Sequence, residues 1–220
     1  MTLLELCDIE LPIIQAPMAG VSTAELAAAV SNAGALGSIG VGATDADGAR
    51  RLIAAFRGRS QRSLNVNVFC HEPAAGSPSL ESAWLELLRP HFERHGARPP
   101  GALKEIYRSF LDDDAMLAML LAERPRVVSF HFGLPSTARI SALRDAKIVL
   151  LASATNLDEA RAAARAGVQA VVAQGYEAGG HRGVFDPNAD DDCLATLALT
   201  RILARELAVP VIAAGGIKIG

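Results

Sequence analysis

The chain has 220 residues, 50% hydrophobic and 20% charged, enough to bury one substantial core without disulfides or bound metal. A formal net charge of -3 leaves no basic surface for nucleic acid or an anionic membrane, and the three cysteines, Cys7, Cys70 and Cys193, have no C-x-x-C spacing for a disulfide framework or a zinc site. Cysteine usage predicts the cytoplasm, the start lacks the basic and apolar regions of a signal peptide, and no stretch reaches the roughly 18 apolar residues that a membrane span needs.

Seven short apolar runs follow one another: Pro12 to Gln15, Leu36 to Ile39, Leu64 to Phe69, Arg126 to Phe130, Lys147 to Leu151, Gln169 to Ala173 and Pro210 to Ala213. Their composition predicts strands buried on both faces, as in a parallel sheet covered by helices. Helices are predicted between them. Thr23 to Asn32 follows Ser22 as N-cap, with Glu25 in the capping-box position, and stops at Ala33-Gly34. Asp45 to Phe56, Leu157 to Ala166 (capped by Asn156 or Thr155, with Gly167 past its end) and Cys193 to Leu207 complete the set. The alternation fits an open doubly wound sheet or a closed eight-stranded barrel, and pattern alone does not choose. Residues 71 to 125 break the rhythm with a Pro/Gly/Ser turn, an amphipathic stretch (SLESAWLELLRPHFERHG) and then GALKEIYRSFLDDDAMLAMLLAER, predicted as a helical insertion that either roofs an active site or covers the side of the sheet.

The residues able to do chemistry cluster at predicted strand ends. Gln174 to Gly183 (QGYEAGGHRG) follows the sixth run. Its glycines let backbone approach a ligand, Gln174 offers a donor and an acceptor, and a histidine such as His181 exchanges a proton near neutral pH. The alternative is a glycine-rich turn whose histidine faces solvent. Gly215-Gly216, after the last run, can present backbone N–H groups to a phosphate. Ala16, Pro17 and Met18 form a compact turn after the first run. His131, between two phenylalanines, is either a packed core residue or a site residue. Asn67, an amide in an apolar run, must meet a neighbour or a ligand. His71, His91 and His95 read as surface residues, and Asp190 to Asp192 as a solvated loop rather than a metal cage. No G-x-G-x-x-G or G-x-x-x-x-G-K-[ST] motif opens a helix, which disfavours a Rossmann or P-loop nucleotide site.

Taken in order, LPIIQAPMAG, SNAGALGSIG, LNVNVF, VVSFHFG, AQGYEAGGHRG and PVIAAGGI resemble the landmarks of the nitronate monooxygenase family, formerly called 2-nitropropane dioxygenases. The resemblance runs through nearly the whole chain, and the pairing of QGYEAGGHRG with VVSFHFG is specific. It implies a (β/α)8 TIM barrel, non-covalently bound FMN, and oxidation of an alkyl nitronate or nitroalkane by O2 to a carbonyl compound and nitrite. His181 would be the catalytic base and His131 a second polar group in the pocket. Asn67, Gln174, Gly179, Gly180, Gly215 and Gly216 would contact FMN, with Ala16, Pro17 and Met18 against the flavin ring.

Family members continue past this point to an eighth strand and further helices, whereas here the sequence ends at Lys218-Ile-Gly220, with KIG where an acidic residue and glycine are usual. The expectation is therefore one partial barrel domain over residues 1 to 220, lacking the eighth strand, with exposed sheet edges that favour self-association or weak flavin binding. Two other functions remain open: related FMN barrels reduce enoyl thioesters or quinones with NAD(P)H, and a barrel without its last strand can be inactive.

Overall fold

A computed structural model describes residues 2–73 and 75–217. Six parallel strands pair in chain order: β1 (Gly37–Gly40), β2 (Leu64–Phe69), β3 (Val127–His131), β4 (Val149–Ala154), β5 (Ala170–Gln174) and β6 (Val211–Ala214). The sheet curls into part of a barrel, with helices on its outside. These are α2 (Ala24–Asn32), α3 (Ala46–Arg57), α5 (Asp114–Glu123), α6 (Thr137–Asp145), α7 (Leu157–Ala166) and α8 (Thr196–Glu206), while α1 (Leu3–Cys7) and α4 (Pro78–Arg94) lie outside the repeat.

Alternation along the strands sorts side chains between two cores. Val66, Val68, Val128, Phe130, Leu150, Ala152, Val171 and Ala173 pack outward against the helices. Leu36, Val127, Val149, Leu151 and Ala170 point inward and close over Leu6 and Cys7 of α1, which plugs the N-terminal end. Each valine, leucine or phenylalanine among them contributes about 1.5–3 kcal/mol by leaving water. Thr2 and Glu5 cap α1 reciprocally, a signal absent from the sequence reading, as was α6. Other inward positions are polar and buried: Ser38 and Asn65 at the level of Val127, and Asn67, Ser129 and Gln174 nearer the C-terminal ends.

Several expected elements differ. Residues 12–15 form no strand: Ile14 makes a single parallel bridge to Leu36, and Leu11 and Ile13 are 43% and 56% exposed. Pro12 has no N–H to donate, and no strand among the described residues lies on the segment's other side. Likewise no described strand lies on the side of β6 away from β5, and its residues are only half-buried. The N-cap of α2 is Thr23, which accepts from Leu26 N, because Ser22 is committed to the preceding loop. α8 begins at Thr196 rather than Cys193, whose φ of 50° is left-handed. Within the segment 71–125, α5 packs on α3 and α6 as the ordinary crossover helix between β2 and β3, whereas α4 buries only Leu85. Lys218 to Gly220 lie outside the described residues.

Candidate active site

The C-terminal ends of the strands converge on one mouth. β5 delivers Gln174, whose side chain organises the glycine-rich loop after it. Its Nε2 donates to the His181 carbonyl at 2.9 Å, and its Oε1 accepts from Gly183 N at 2.7 Å. Arg182 turns the other way, donating to the Gln174 carbonyl at 2.7 Å and gripping Asp191 with two hydrogen bonds at 2.7 and 2.8 Å. That pairing holds the Asp191 carboxyl down at about 2. Asp191 is thus an anchor of the loop rather than a solvated residue, a correction that follows from the fork geometry Arg182 offers a carboxylate. Among the described residues no cluster could hold a metal ion.

With its backbone fixed, His181 is exposed, and its ring nitrogens meet no hydrogen-bond partner among the described residues. The ring instead lies among aromatic neighbours, with Tyr107 and Phe132 centroids each 5.6 Å away and Phe69 at 6.2 Å. His71 belongs to the same group, 6.5 Å from Phe69 and 6.1 Å from Phe132, so it is not the plain surface residue expected from sequence. Tyr107 comes from the chain between α4 and α5 and forms part of the mouth's wall. Its only sequence signal is a lone tyrosine in an otherwise unremarked stretch.

His131 closes β3 and is mostly buried. Its Nε2 lies 3.4 Å from the His181 carbonyl, and its Cε1 sits 2.6 Å from where a Cβ on residue 183 would stand, so only glycine fits there. Burial pushes its pKa down to about 4, outweighing the hydrogen bond to His181 and aided by the His181 charge. His131 is therefore neutral, a packed histidine and a lining residue at once.

The remaining expected residues ring the same mouth. Asn67 donates through Nδ2 to the Ser129 carbonyl at 3.1 Å and hydroxyl at 2.9 Å, while its Oδ1 meets no donor among the described residues. Gln15 Nε2 and Asn65 Oδ1, below it in the barrel interior, are buried without partners among the described residues. Ser22 ties the 16–18 loop by donating to the Ala16 carbonyl and accepting from Met18 N, both at 2.9 Å, leaving Met18 50% exposed. Gly215 and Gly216 follow β6 at φ values of 112° and 63°, which favour glycine, and Gly179 and Gly180 face open space. Glu177 accepts from Thr196 N at 2.8 Å and from its hydroxyl at 2.9 Å, and these bonds, after one from its own N–H, lower its carboxyl pKa.

These features fit a flavin nucleotide: a mouth lined by an apolar turn, interior amide atoms without partners among the described residues, and a glycine turn for an anionic end. The opposite end has a cleft of about 270 Å³ beside Arg126, Arg144 and Lys147. No acid, nucleophile or histidine lines it, and barrel chemistry belongs to the C-terminal end.

The family model for nitronate monooxygenase matches residues 1–220. The chain belongs to the nitronate monooxygenase family. It is 62% identical over 218 residues to a nitronate monooxygenase of Paraburkholderia phytofirmans, covering 99% of this chain and 60% of that protein. Identity to the nitronate monooxygenase of Pseudomonas aeruginosa is 54% over 215 residues, covering 98% and 61%. The chain thus spans about three-fifths of the length of these family members. A nitroalkane oxidase from Streptomyces ansochromogenes superposes with a TM-score of 0.85 at 39% identity, covering 98% of this chain and 60% of that one. FabK from Thermotoga maritima gives 0.69 at 30% identity, covering 97% and 53%.

Proposed function

We propose that this chain forms most of the FMN-binding barrel of an enzyme that oxidises alkyl nitronates with O2 to a carbonyl compound and nitrite, and that accepts neutral nitroalkanes by first removing a proton. The observation that carries the reading is His181, whose ring at the mouth has no hydrogen-bond partner among the described residues while its backbone is fastened by Gln174. A ring nitrogen of His181 takes the proton from the carbon next to the nitro group, and the imidazolium so formed faces the nitronate anion it has produced. Neutral His131 lines the pocket without adding charge that would compete for that anion.

FMN, when bound, supplies the electron acceptor and the route to O2. Its holders are Asn67 through the free Oδ1, Gln174 through its second amide hydrogen, Gly179 and Gly180 by leaving room, and Gly215 and Gly216 through backbone N–H groups toward the phosphate. Ala16, Pro17 and Met18 offer the ring an apolar surface. The aromatic wall of Phe69, Tyr107 and Phe132 offers an apolar side to the base and suits a short alkyl substrate. A cytoplasmic location agrees with the free thiols of Cys7, Cys70 and Cys193, and no helix among the described residues is long and apolar enough to cross a membrane.

The test compares 2-nitropropane with propyl-2-nitronate in His181→Ala. Loss of the base should lower turnover of the neutral compound by about 100-fold or more and leave the preformed nitronate within a few-fold of the parent. Equal losses on both compounds would remove His181 from the role of base.

A further inference from the structure

The first turn of α8 lacks a cap of its own, because its N-cap is Ala195, which has no side-chain acceptor. Glu177 fills that place from the middle of the glycine-rich loop, accepting from Thr196 N and Oγ1 at 2.8 and 2.9 Å. The same Thr196 hydroxyl lies 2.9 Å from the Gly215 carbonyl, so one buried side chain is drawn to both the loop carrying His181 and the turn after β6. The two segments also interlock sterically. A Cβ on Gly216 would stand 2.8 Å from Glu177 Cβ, and one on Gly215 would stand 2.8 Å from Ala178 Cβ. Backbone pairing continues the contact, with Gly175 N donating to the Ala214 carbonyl at 2.9 Å and Tyr176 N to the Leu194 carbonyl at 2.8 Å.

We propose that Glu177 is a positioning residue that locks the base-bearing loop to the Gly215-Gly216 turn, so that holding an anion at the turn and placing the His181 ring are coupled. The carboxylate takes the first N–H of α8, that of Thr196, for the protein's own use, and the glycine turn beside it is the place for a phosphate. An anion there restrains Gly215, Gly215 restrains Thr196, and Thr196 restrains Glu177 four residues before the base. The coupling rests on the roles given above to His181 and to the turn.

The chain and its Glu177→Ala and Glu177→Gln variants test it through three readings. Hydrogen exchange without added FMN should quicken in Glu177→Ala at residues 175–183 and 215–217 together, with β2 and α3 unchanged. FMN titration by fluorescence quenching should give a Kd raised about tenfold in Glu177→Ala, the lower range for a lost hydrogen bond to a charged group, and partly restored in Glu177→Gln. At saturating FMN, kcat for 2-nitropropane should fall about tenfold, while kcat for propyl-2-nitronate stays within about twofold. A plain helix cap would instead quicken exchange at the start of α8 alone, leave the FMN Kd unchanged, or lower both substrates equally, and any of these overturns the proposal. A parent chain that binds no FMN or turns over no nitronate refutes the proposed function, and the paired exchange of the two segments then still decides whether the lock exists.

Discussion

Gln174 is joined to His181 by its side-chain amide and the His181 backbone, leaving the imidazole out of the pairing: the Gln174 Nε2 donates to the His181 carbonyl at 2.9 Å, and its Oε1 accepts from Gly183 N at 2.7 Å. The side chain assigned to the flavin spends two of its hydrogen bonds shaping the loop that carries His181. Replacing Gln174 by Ala strands a buried N–H and loosens the carbonyl, at a cost of about 1–3 kcal/mol. Urea unfolding should show that loss, and turnover of neutral nitroalkanes should fall more than turnover of nitronates.

His131 makes stability depend on pH. Unfolded, a histidine binds its proton near pH 6.5, while folded His131 binds it only near pH 4. Between those values the unfolded chain holds more protons, so the contribution of neutral His131 is complete above about pH 6.5 and is lost as pH falls toward 4. The change is on the order of 3 kcal/mol. Urea midpoints measured from pH 7 down to pH 4 should fall more steeply for the parent than for His131→Asn.

Gly183→Ala should damage the site without touching a polar group. The new Cβ would stand 2.6 Å from His131 Cε1 and 3.2 Å from Gln174 Oε1. Relief requires both side chains to move, at about 1–3 kcal/mol for overpacking. Thermal unfolding should register the loss, and FMN affinity should fall with it. An alanine at Gly179, which faces open space, should leave stability nearly unchanged by comparison.

Asn67→Ala removes both donors to Ser129 and the free Oδ1 at the mouth. The expected result is a stability loss of about 1–3 kcal/mol together with weaker FMN binding. Asn67→Asp keeps the shape but loses the Nδ2 donors and places a carboxylate against the Ser129 carbonyl, so it should be the more disruptive of the two.

Much of this arrangement was legible beforehand because strand ends carry it. The runs from Leu64, Arg126 and Gln169 read as strands, and their polar residues Asn67, His131 and Gln174 lie toward the C-terminal ends, at the mouth. Of the polar positions within the strand runs only Asn67 stood out beforehand; Ser38, Asn65 and Ser129 sit in runs that read as apolar on both faces, and the structure shows them buried. What stayed hidden depends on contacts distant in sequence. Nothing near Tyr107 announces that it will meet His181, nothing near Asp191 announces Arg182, and Glu177 caps a helix that starts at Thr196. Residues 12–15 were misread because an apolar run becomes a strand only when neighbours supply hydrogen bonds on its edges, and this one has a single bridge.

The most direct measurement is an FMN titration of the chain followed by aerobic reaction with propyl-2-nitronate, with bound flavin, nitrite and acetone quantified on one sample. Saturable binding of one FMN per chain and matched release of nitrite and acetone is the predicted result. Absence of bound flavin, or bound flavin that is reduced by NADH while nitronate goes unconsumed, would contradict the account.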